Sequence, residues 1–80
     1  MAVATIFDVV AAREALTSAG VPCELHLHDA CGAQTMELKL ADGAERDALT
    51  QAFEVVSAEF AKRRLAVEAA DNEGRILRVV

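Results

Sequence analysis

Along this chain the spacing of apolar residues passes twice from the period of a helix to that of a strand. Over residues 4–19, Val9, Val10, Ala12 and Leu16 recur among Asp8, Arg13 and Glu14, which predicts a first helix. Thr5 and Asp8 fit a capping box, Gly20 stands at the C-terminal side and Pro22 stops the helix. Its apolar residues spread around most of the circumference, so it is either buried between neighbours or carries an exposed contact surface. The second helix is cleaner. Leu49, Ala52, Phe53, Val56 and Phe60 form one stripe, with Asp42 as its expected cap and Glu45 at the third position.

Period-2 alternation over residues 23–28, 33–40, 65–70 and 75–80 predicts four strands in two hairpins. The expected fold is therefore α+β: one domain over residues 1–80, in the order αββαββ, with both helices on one face of a four-stranded antiparallel sheet. This is the order that a ferredoxin-like βαββαβ fold acquires when its first strand moves to the C-terminus, an analogy of fold only. An internal repeat points the same way. IFDVVAA at 6–12 recurs as AFEVVSA at 52–58, and Asp29-Ala30-Cys31-Gly32 matches Asp71-Asn72-Glu73-Gly74 after a connection four residues shorter.

With Asp29-Ala30-Cys31-Gly32 as the turn, His28 is expected opposite Ala33, His26 opposite Thr35 and Glu24 opposite Glu37. Leu25 and Cys23 then sit opposite Met36 and Leu38 on the inner face. A one-residue slip would set Leu25 against Glu37, which the hydrophobic pattern disfavours. In the second hairpin, Asn72-Glu73-Gly74 sets Val67 opposite Val79, Glu68 opposite Arg78 and Ala69 opposite Leu77. Ala66, Ala70, Ile76 and Val80 are left on the outer face.

Composition narrows the function classes. Lys and Arg number 8 against 13 Asp and Glu, so phosphate backbones and anionic lipid repel the chain. There is no Trp or Tyr, and Phe7, Phe53 and Phe60 read as helix-core residues, so the strands carry no base-stacking aromatics. Nucleic acid and membrane are not expected partners. No basic segment precedes an apolar run at the N-terminus, which therefore reads as mature structure. The two cysteines read as free thiols of a cytoplasmic protein, because eight positions along an extended strand set them too far apart for a bridge. Lys62-Arg63-Arg64 reads as the basic end of the second helix. A hydrophobic share of 54% is rich for 80 residues and leaves apolar surface for a homodimer, a protein partner or a small ligand.

Candidate chemistry concentrates in CELHLHDACG, residues 23–32. His26 and His28 share one strand face, an arrangement that presents two imidazoles to one metal ion, with Cys31 or Asp29 to complete the shell. The plain alternative is two histidines on a solvated strand face. Cys31 at a turn could also act as a thiol beside His28, although Asp29 opposes its ionisation. Cys23 reads as a core residue.

At HDACG the chain resembles the RDAC family of short bacterial proteins, named for an Arg-Asp-Ala-Cys signature. It matches at Asp29, Ala30, Cys31 and Gly32 and departs at His28. The resemblance implies no activity and directs attention to this turn. The function expected is a non-enzymatic module that dimerises, or binds a small ligand, through an open sheet face formed by Glu24, His26, His28, Ile76, Arg78 and Val80. No catalytic residue or cofactor is assigned. The competing expectation is a metal-binding or thiol-active protein using His26, His28 and Cys31.

Overall fold

The computed structural model describes the backbone of residues 4–30 and 33–80, and their side chains except at 29, 30, 33 and 34. Helix α1 spans Ile6–Ser18, β1 Cys23–Ala30, β2 Ala33–Leu40, α2 Asp47–Ala61, β3 Val67–Ala69 and β4 Ile76–Val79. The strands form one antiparallel sheet in the order β1-β2-β4-β3. Alternation sends Leu25, Met36, Leu38 and Leu77 to the inner face, where they meet Val9, Ala12 and Leu16 of α1 and Leu49, Ala52, Val56 and Phe60 of α2. Each large side chain buried there contributes about 1.5–3 kcal/mol. The stripe predicted for α2 faces this core, with Phe53 at its half-buried margin.

Both helices end in the same way. The Val21 N–H reaches Leu16 O at 3.1 Å and the Gly20 N–H reaches Thr17 O at 3.1 Å. At the end of α2, Leu65 bonds Phe60 O at 2.9 Å and Arg64 bonds Ala61 O at 3.0 Å. This closure needs a left-handed residue, which is Gly20 (φ 71°) in one case and Arg64 (φ 61°) in the other.

The start of α2 corrects the expected cap. Gly43 has φ 81° and Ala44 N–H bonds Ala41 O at 3.0 Å, so Asp42 and Gly43 form a turn. The helix begins at Asp47, and its N-cap Arg46 makes no side-chain capping bond. The box at α1 is as expected: Asp8 N–H donates to Thr5 Oγ1 at 3.3 Å and Thr5 N–H to Asp8 Oδ2 at 2.8 Å.

The first hairpin also corrects the expected register. Its faces are as read, but the pairing slides by two residues, so that His26 faces Glu37, His28 faces Thr35, Glu24 faces Lys39 and Leu25 faces Leu38. Asp29 and Ala30 belong to β1, opposite Gln34 and Ala33, rather than to a turn. A two-residue slip leaves apolar alternation intact, so charge decides. The observed register gives Glu24 a lysine where the expected one gave it Glu37. The second hairpin pairs Val67 with Val79, Glu68 with Arg78 and Ala69 with Leu77, as expected.

The repeated heptamers do not bury matching positions. Val9 and Ala12 are buried while Val55 is half-buried and Ala58 exposed, and exposed Val10 corresponds to buried Val56. The two Asp-x-x-Gly segments also differ, because Asp71 sits in a turn and accepts the N–H groups of Arg75 and Ile76 at 3.0 and 3.1 Å.

Candidate functional site

With both helices on the inner face, the outer face of the sheet is uncovered. Strand alternation puts Glu24, His26 and His28 of β1 on it, with Thr35, Glu37 and Lys39 of β2 beside them. Across the β2–β4 ladder, Arg78 lies opposite Thr35 and Ile76 opposite Glu37, and Val80 follows at the strand end. The six residues expected to share a face therefore do share one. Its charges alternate and pair locally. His26 Nε2 lies 3.3 Å from Glu24 Oε2, His28 Nε2 lies 3.2 Å from Glu37 Oε1, and Arg78 donates to Glu68 Oε1 at 2.6 Å.

The two imidazoles thus engage different carboxylates. Among the described residues no group of three His, Cys, Asp or Glu side chains is arranged to hold a metal ion. Cys31, the third expected ligand, lies outside the described residues. Cys23 is on the opposite face from the histidines, buried, with its Sγ 4.0 Å from Glu24 O. Burial pushes its thiol pKa up, which suits a core residue and not a nucleophile.

A second uncovered surface lies on α1. Ile6, Phe7 and Val10 are 64%, 78% and 41% exposed, so the broad apolar circumference of this helix is not buried between neighbours. Phe7, expected in the core, is corrected. A core stripe at Val9, Ala12 and Leu16 turns position 7 to the opposite side of the helix. On the flank toward α2, Arg63 Nη1 lies 3.3 Å from Asp8 Oδ1 and ties the start of α1 to the end of α2. The Thr5 backbone N–H holds the Asp8 carboxyl below its ordinary pKa, aided by the Thr5 hydroxyl and Arg63 and opposed by partial burial. Asp71 is lowered chiefly by the N–H of Ile76, then by that of Arg75.

Between α1 and the outer edge of β1 lies a cleft of about 310 Å³ lined by Arg13, Leu16, Thr17, Cys23, Glu24, Leu25 and His26. In it Arg13 Nε–H donates to Leu25 O at 2.7 Å. Sequence reading passed over Arg13, because its role depends on α1 lying over β1, which no spacing within either element encodes.

Among the described residues no helix is long and apolar enough to cross a membrane. The chain matches no family model, no curated protein and no solved structure.

Proposed function

We propose that this chain is a non-enzymatic α+β interaction module of the cytoplasm that pairs with a second copy of itself. The observation that carries this reading is the exposure of Ile6, Phe7 and Val10 on α1, three large apolar side chains on a domain whose small size limits its own core. The uncovered sheet face is the second surface, where Ile76 and Val80 stand among paired charges and offer a place for a small ligand or a further protein partner. The same reading treats the chain as an αββ unit used twice. In its support, the order β1-β2-β4-β3 is unchanged when the two hairpins are exchanged, and both helices close with the same two bonds. It is also the order of a ferredoxin-like sheet permuted by one strand.

Native mass spectrometry of protein purified without chelator or tag tests the proposal. A metal-free dimer supports it. A monomer carrying one metal ion, lost in a His26→Ala/His28→Ala variant, would replace it with the metal-binding alternative at His26, His28 and Cys31.

A further inference from the structure

We propose that the free edge of β1 is a strand-addition surface for β1 of a second copy, and that Arg13 holds it closed. This goes beyond self-association through α1 and stands or falls separately from it.

The edge follows from the ladder. Leu38 N–H bonds Arg75 O just ahead of β4, so its partner Leu25 turns its own N–H and C=O away from β2. Arg13 occupies that outward carbonyl, which fixes the direction independently. By the same alternation Leu27 also presents its N–H and C=O outward, while Glu24, His26 and His28 bond β2. β1 has eight residues against three in β3, the strand at the other edge. A long open edge is a template for pairing unless something covers it, and a cationic side chain from a neighbouring helix is a cover.

The occupant is identified by the strand's own pattern. An antiparallel second copy centred on His26 sets Leu25 against Leu27 of the second copy on the inner face. On the outer face it sets Glu24 against His28 of the second copy, twice over by symmetry. A register two residues further along would set His26 against His28 and lose these pairs. Every such pairing needs the Leu25 carbonyl for an incoming N–H, and this is the atom Arg13 occupies. The cleft between α1 and this edge leaves room beside Arg13.

The test is amide hydrogen exchange by NMR on the full chain, across a hundredfold range of protein concentration. It compares the wild type with Arg13→Met, which keeps the apolar stem without a donor, and with Arg13→Ala. The Leu38 amide reports an intact fold. In both variants the Leu25 and Leu27 amides are expected to slow at least tenfold as concentration rises, while in the wild type their exchange does not change with concentration. Adding Glu24→Lys to Arg13→Met should reverse the slowing. Leu25 and Leu27 amides that do not slow with concentration in variants with a protected Leu38 would overturn the proposal. Concentration-dependent protection in the wild type would also overturn it, as would loss of Leu38 protection in both variants, which would assign Arg13 to holding the fold. Wild-type association without protection of these amides belongs to the α1 surface and leaves the edge closed, as proposed.

Discussion

Arg64 and Gly20 occupy equivalent places at the ends of the two helices, and only one of them is glycine. A side chain in the left-handed region costs about 1 kcal/mol. Arg64→Gly is therefore expected to raise stability by up to about 1 kcal/mol, a rise in Tm of roughly 4–8 °C for a domain of this size, read by thermal unfolding. Thr5→Ala removes one arm of the capping box and should cost about 1 kcal/mol. Asp8 and Asp71 both have folded-state pKa values below the ordinary value near 4. Each binds its proton more readily in the unfolded chain. Their stabilisation is thus complete above pH 4 and drains away as pH falls from there toward the depressed folded values. Asp71→Asn keeps an acceptor for Arg75 and Ile76 but removes the titration. Urea midpoints at pH 7 and pH 3 should differ less in this variant than in the wild type. The capping box was legible because its two residues lie three apart in sequence. The exposure of Phe7 was not, because it depends on which side of α1 meets the sheet.

For the elements, apolar alternation decides the faces of β1 and β2 but not their register. A slip of two residues keeps Leu25 and Leu27 inward, and the charge opposite Glu24 distinguishes the alternatives. The pairing continues to Ala30 opposite Ala33 and sets Glu24 opposite Lys39. This pairing predicts coupling between positions 24 and 39. Glu24→Lys and Lys39→Glu should each cost a few tenths of a kcal/mol to about 1 kcal/mol, and the double exchange should recover most of the loss in a double-mutant cycle. Zero coupling would return the hairpin to the register with Glu24 opposite Glu37. The second hairpin was legible at residue level because Gly74 and Asp71 leave it few turn geometries. The start of α2 was misplaced because Asp42-x-x-Glu45 imitates a capping box, while the positive φ of Gly43 makes the same residues a turn.

At the scale of the molecule, class and element order follow from two alternating periods, and the sheet faces follow with them. The strand order was beyond reach, since no local pattern states that β4 inserts beside β2. The surfaces were legible in kind more than in place. Apolar excess over a small core predicts uncovered apolar surface, and the sequence directed attention to the sheet face, to which the structure adds the exposed apolar stripe of α1 on the other side. On the proposed reading this stripe joins two copies. Sedimentation velocity over a concentration series tests it most directly, with the wild type beside an Ile6→Gln/Val10→Gln variant and a Val80→Glu variant. All three positions are exposed, so the fold should change by no more than about 0.5 kcal/mol. A wild-type dimer that Ile6→Gln/Val10→Gln reduces to monomer, with Val80→Glu still dimeric, is the predicted result. A wild type that remains monomeric at millimolar concentration, or a dimer untouched by the α1 substitutions, would contradict it.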